Sequence, residues 1–250
     1  MNEPARDEPA RRDGVDAVVA ISALGEPTRR ALYDFVVANA AWVGRDQAAE
    51  AVGLERGNAA HHLDRLAADG LLDIDYQRLS GRRGPGAGRP AKLYRRARRD
   101  IDVTLPRRDY GLAGRLLAEA ADRSRTDGTD IQTALDDATT AEGVRLAAEI
   151  RAQLTDPGDA RPGATRRAVL AALEAGGFEP ISGEDGTVVL RNCPFHQLAR
   201  DHTELVCGMN HCLLSTVVEV LDDTELVARL EPEEGHCCVR LHPVRERVGL

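Results

Sequence analysis

The chain has 250 residues, 42% of them apolar and 30% charged, with a formal net charge of −8. Length and composition give room for one large core or two smaller ones and exclude a wholly disordered chain. No run of about 18 apolar residues occurs, which excludes a helical membrane span, and the acidic balance argues against nucleic-acid binding unless the basic residues are concentrated.

They are concentrated. Residues 1–110 hold 19 Lys and Arg against 17 Asp and Glu, whereas residues 111–250 hold 14 against 24. Residues 77–99 carry nine basic residues and no acidic one, a patch able to bind a polyanion locally. Only one of the 33 basic residues is Lys, a composition bias, so Arg in place of Lys carries no functional weight. The opening MNEPARDEPARRDG mixes charge with proline and lacks an apolar h-region. Residues 1–14 are therefore expected to be a disordered tail and not a signal peptide, in a cytoplasmic protein whose thiols stay reduced.

Gly25 to Ala40 is a predicted helix: Pro27 suits its first turn, and Leu32, Phe35, Val36 and Ala40 recur at helical spacing. Arg45 to Val52 is a short helix stopped by Gly53, and Glu55 to Gly70 a third, with Ala59, Leu63 and Leu66 on one stripe. Two helices joined around a glycine form a helix-turn-helix pattern. LLDIDYQ and KLYRRA read as paired strands, and RLSGRRGPGAGRPA between them has the composition of a wing. GPGAG lacks the Lys-Ser/Thr ending of a phosphate loop and opens no helix, so nucleotide binding is set aside. The blander reading is a helical domain with a flexible basic loop. It leaves unexplained why helix spacing, loop position and charge coincide.

In a winged helix-turn-helix the second helix of the pair enters the major groove. Arg56, Asn58 and His61 are then placed to read base edges, with Arg suited to guanine and Asn to adenine. Arg65 is expected to meet phosphate, and His62 to be a packed core residue. Arg82, Arg83, Arg89 and Lys92 on the wing would neutralise phosphates or reach a minor groove. GEPTRRALYDFV, HHLDRLAADGLL and GRPAKLY, in that order, resemble the ArsR-type winged-helix transcriptional regulators over residues 18–99. That resemblance implies a homodimer on a palindromic DNA operator.

Residues 15–99 are thus assigned to the DNA-binding domain and residues 100–160 to a helical connector or dimerisation region. In the connector, YGLAGRLLAEAADRS is a helix with Leu112, Leu116, Leu117 and Ala120. Ile131 to Leu154 is another, with Val144, Ala147, Ile150 and Leu154 on one face. Periodicity alone leaves intramolecular core and dimer seam equally open. DPGDARPG reads as a linker.

Residues 161–246 read as an α+β sensor domain. ATRRAVLAALEAGG is a helix; FEPISG and TVVLRN are strands joined by a GEDG turn. PFHQLARDH and ELVCGMNHCLLSTVVEVL are helical, and ELVARLE and CCVRLHP close the domain as strands. Five cysteines in a reduced chain leave metal binding, redox sensing or buried thiols. Cys193, Cys207 and the Cys237–Cys238 pair follow a Cys-x13-Cys-x29-Cys-Cys spacing, too long for a small zinc knuckle but suited to a site assembled from separate elements. Cys207 and His211 share a helix face, which makes His211 a possible fourth ligand. Cys212 points elsewhere and is expected to be a buried thiol. Strand alternation would aim only one of Cys237 and Cys238 into a common site. His196 and His202 are expected at the surface or satisfied within the helix.

NCPFHQLARDHTELVC followed by GHCC is similar to the SufR-like regulators, ArsR-related repressors of iron–sulfur assembly genes that carry a cluster on C-terminal cysteines. The similarity implies Cys193, Cys207 and Cys237 as ligands. This chain departs in a first spacing one residue longer and in the absence of a histidine midway between the second and third cysteines, where Leu221 and Asp222 stand. The expectation is a dimeric, cytoplasmic, DNA-binding repressor, not an enzyme. It would carry an iron–sulfur cluster, 4Fe-4S in preference to 2Fe-2S, on Cys193, Cys207, Cys237 and Cys238, with zinc or a thiol–disulfide switch as the alternative. An enzyme using Cys193 or Cys207 as a nucleophile with a nearby His is set aside, because no recognised catalytic signature surrounds either cysteine.

Overall fold

The computed structural model describes residues 14–78, 90–154, 163–233 and 235–244. The fold is α+β and divides into two compact units, Met1–Val103 and Thr104–Leu250. The tail expected at 1–14 lies, except for Gly14, outside the described residues. So do the loop at 79–89 with its GPGAG stretch and nearly all of the expected linker.

In the first unit, helices α1 (Gly14–Ala23) and α2 (Pro27–Ala38) precede a two-residue strand β1 (Val43–Gly44). Helices α3 (Arg45–Val52) and α4 (Arg56–Ala68) follow, then strands β2 (Leu72–Gln77) and β3 (Ala91–Arg96). The strands form an antiparallel sheet in the order β1-β3-β2, with Tyr94 opposite both Val43 and Ile74.

Local chemistry sets these boundaries. Glu26 caps α2, its carboxylate accepting from the backbone N–H of Thr28 at 2.8 Å and of Arg29 at 2.7 Å, with Pro27 in the first turn. Helix α3 stops at Gly53, whose φ of 71° lies in the left-handed region that side-chain-bearing residues avoid. The predicted stripe of Ala59, Leu63 and Leu66 is fully buried against Leu32, Val36 and Ala48. Each leucine contributes about 1.5–3 kcal/mol by leaving water. Tyr94 is buried beneath them, its hydroxyl donating to Asp64 Oδ1 at 2.5 Å and accepting from Arg45 Nε at 3.2 Å. Trp42 lies under the Arg95 guanidinium, 4.4 Å from its ring centroid, a cation–π contact.

In the second unit come α5 (Tyr110–Asp127), α6 (Ile131–Gln153) and α7 (Ala164–Ala175), then β4 (Pro180–Ser182) and β5 (Val188–Leu190). Helices α8 (His196–Asp201) and α9 (Thr203–Val220) and a 3-10 turn at Asp222–Thr224 lead to β6 (Leu226–Leu230) and β7 (Val239–Pro243). The strands form an antiparallel sheet in the order β4-β5-β7-β6. Asp109 and Asp130 cap α5 and α6 by accepting from backbone N–H groups one turn on.

One core joins the helices to the sheet, through Leu116 and Ile150, Leu214 on α9, and Val239 and Leu241 on β7. Leu116, Ala120, Ala147 and Ile150, the stripes seen in the sequence, are buried within this unit, whereas Val144 is 46% exposed. Helix α6 presses on α9 at Gly143. A Cβ there would stand 2.7 Å from Thr216 Cβ and 3.1 Å from the Leu213 carbonyl oxygen. Among the described residues no helix is long and apolar enough to cross a membrane.

Candidate functional site

Among the described residues two groups of side chains bear on the expected sites, one in each unit. On α4, Arg56, Asn58, His61 and Arg65 are all exposed. Asn58, His61 and Arg65 follow one another at three and four residues and share a face. Arg56 sits two residues before Asn58, on another side of the helix, and pairs with Asp46 of α3 at 2.7 Å. Arg65 pairs with Asp69 at 2.9 Å. Both pairs include an exposed arginine and are worth little, so either guanidinium is readily exchanged onto another anion. His62 lies inward, as expected, its Nδ1 3.8 Å from a Glu26 carboxylate oxygen.

Lys92 differs from expectation. It lies on β3, only 17% exposed, and its ammonium is bonded to Asp64 at 2.6 Å. It is tied into the Asp64–Tyr94–Arg45 network and does not project as a free cation. The Asp64 carboxyl bears a desolvation cost, but bonds from Lys92 and Tyr94 outweigh it and hold its pKa down. Burial and the Asp64 bond push the Tyr94 hydroxyl up to about 12. Arg82, Arg83 and Arg89 lie outside the described residues.

The second cluster is built on sulfur. Cys193 leaves β5 in the turn before α8, Cys207 lies in the second turn of α9, and Cys237 and Cys238 stand just before β7. All four are buried, at 6%, 5%, 1% and 6% exposure. Their side chains are neighbours: Cys193 lies beside Cys237, Cys237 beside Cys238, and Cys238 beside Cys207. Both members of the adjacent pair take part, contrary to the expectation from strand alternation. The physical reason is that β7 begins at Val239, so the two cysteines are in irregular backbone and need not face opposite ways.

His211 does not join the thiols. Its Nε2 lies 3.4 Å from the Ala228 carbonyl oxygen and 3.3 Å from Ser215 Oγ. Cys212 is half-exposed and not buried as expected; it turns toward α6, 3.4 Å from Thr140 Oγ1. His196 and His202 are exposed.

The electrostatics favour protonated sulfur at Cys193, Cys207 and Cys237. The Cys237 bond and burial push the Cys193 thiol far above its usual value. Burial raises Cys207, against a lowering bond from Cys238. Cys237 is held down by Cys193, but the Cys238 bond and burial prevail and push it up to about 12. Four neighbouring thiolates in a dry pocket become stable only with a cationic centre among them.

Sequence reasoning missed two polar side chains here. Asn210 is fully buried and its Nδ2 donates to Cys237 Sγ at 3.1 Å. A polar residue inside the apolar run ELVCGMNHCLL was its visible signal. Arg108 donates to the Cys193 carbonyl at 2.9 Å and to Asn192 Oδ1, and its charge favours the Cys193 thiolate. Nothing in the sequence tied it to a cysteine 85 residues on.

Among the described residues no three His, Cys, Asp or Glu side chains are already spaced around a single-ion site. No family model, curated protein or solved structure matches the chain.

Proposed function

We propose that this chain is a homodimeric winged-helix transcriptional regulator of the ArsR type, whose affinity for a palindromic operator is set by an iron–sulfur cluster on Cys193, Cys207, Cys237 and Cys238. The observation that carries it is that four buried thiols from three separate parts of the sequence lie beside one another. Thiolates suit iron–sulfur clusters, and a multi-iron cluster spreads its ligands wider than a single ion does. Four cysteines match 4Fe-4S best. The buried, unpartnered Oδ1 of Asn210 beside them also fits a pocket shaped for something more than packed thiols.

When bound, the cluster supplies a group that responds to oxidants and to iron supply. The protein's own residues do the rest. Burial keeps water from the four sulfurs, and Arg108 supplies positive charge next to Cys193. In the first unit, α3 and α4 form the helix pair, and α4 offers Asn58, His61 and Arg65 to a major groove, with Arg56 to one side. The strands β2 and β3 flank the basic loop that would serve as the wing. The regulator is read as a repressor in the cytoplasm, and no enzymatic step is assigned to it.

The pairwise thiol contacts also favour a second reading, in which Cys193 with Cys237 and Cys207 with Cys238 act as thiol–disulfide switches and no cluster is present. One experiment separates the two. Iron and acid-labile sulfide are measured per chain, with a visible spectrum, on protein purified without oxygen. Near-stoichiometric iron and sulfide that vanish in Cys193→Ser support the cluster. Colourless protein after attempted reconstitution sinks it and leaves the switch, or zinc.

A further inference from the structure

We infer that Asn210 is a positioning residue of the thiol site, whose side-chain amide donates to Cys237 and raises the reduction potential of the cluster held there. The inference rests on the cluster reading above. Asn210 is 0% exposed on α9, one turn beyond Cys207, with Nδ2 3.1 Å from Cys237 Sγ. Its Oδ1 is buried with no hydrogen-bond partner in the structure. A buried amide satisfied at one end only is costly, and an apolar side chain of similar size would avoid that cost. The cost is offset when the other end meets a strong acceptor. A neutral thiol is a weak acceptor; a metal-bound thiolate is a strong one. The amide is therefore matched to the ligand state of Cys237 and poorly matched to the free thiol.

The direction of the effect follows from charge. One-electron reduction by an external reductant adds negative charge to the cluster and its sulfurs. An N–H group aimed at a ligating sulfur stabilises that added charge, so hydrogen bonds to sulfur shift cluster potentials upward. No bond forms or breaks at Asn210, and it transfers no proton.

The test compares the full wild-type chain with Asn210→Ala, which removes the donor, and Asn210→Leu, which keeps the bulk and removes both polar ends. Each is reconstituted with ferrous iron and sulfide without oxygen and titrated with dithionite, following visible absorbance. Both variants are expected to hold a cluster whose midpoint lies lower by about 59 mV or more, a tenfold change in the one-electron equilibrium. Cluster-free Asn210→Leu is expected to unfold at or above the wild-type temperature, which a merely structural role would not give. Loaded variants that titrate with the wild type overturn this inference alone. A wild-type chain that takes up neither iron nor sulfide overturns the cluster reading and this inference together.

Discussion

A buried thiol is neutral and undemanding, whereas a buried thiolate needs a cation, and that contrast governs the single-residue predictions. If the cluster is held as proposed, Cys238→Ser is expected to abolish its binding as fully as Cys193→Ser, because Cys238 lies beside both Cys237 and Cys207. Cys212→Ser, on the side facing α6, is expected to leave iron and sulfide content unchanged. Metal analysis of the two variants side by side checks both. In the first unit, the Glu26 carboxyl is lowered from 4.5 to about 2, chiefly by the Thr28 backbone N–H. A carboxyl with a depressed folded-state pKa stabilises fully above its ordinary value and loses that contribution as pH falls through the folded one. Thermal stability is therefore expected to decline between about pH 5 and 2 in part through this group, and Glu26→Gln to flatten that part of the profile. Removing the Tyr94 hydroxyl (Tyr94→Phe) breaks its bonds to Asp64 and Arg45 and is expected to cost about 1 kcal/mol in denaturant unfolding.

At the scale of elements, α6 and α9 pack closely at Gly143. Gly143→Ala would drive a methyl into Thr216 and the Leu213 carbonyl, and overpacking of this kind costs about 1–3 kcal/mol. Denaturant unfolding measures it, and an unchanged midpoint would show that the helices separate freely. The elements legible in the sequence were those with a one-sided stripe: α2 and α4 present their leucines to one core and were read within a few residues. Helix α1 escaped because its small residues face inward, with Ala17, Ala20 and Ala23 buried, while Val18, Val19 and Ile21 are more than 40% exposed. That reverses the pattern from which amphipathic helices are recognised. Strand β1, two residues long, carries no period at all. The cysteine spacing singled out four residues whose side chains are neighbours in the fold. The sequence reading starts β7 two residues too early, at Cys237, so strand alternation does not apply to the adjacent pair.

At the scale of the molecule, two units with separate cores predict separable behaviour. A ligand that binds only the folded second unit stabilises it by mass action. Calorimetry is therefore expected to show one transition that rises on cluster loading and one that does not. If the sulfur site governs the operator, the loaded and cluster-free chains should differ in operator affinity by about 5–150-fold, the range of a typical coupling free energy. Binding titrations of wild type and Cys207→Ser measure it, and equal affinities would sever the proposed link. Arg56→Ala is expected to lower operator affinity by about 1–3 kcal/mol if it reads a base, whereas Arg65→Ala should weaken all sequences alike if it meets phosphate.

Trp42, held under Arg95, is the only tryptophan in the chain and belongs to the unit that carries α4. An iron–sulfur chromophore would belong wholly to the other. Ultraviolet emission and visible absorption would then be two independent optical signals, one per unit, readable together on the unlabelled protein. Emission that shifts when operator DNA is added, and again when the colour is bleached, would report communication between the units directly.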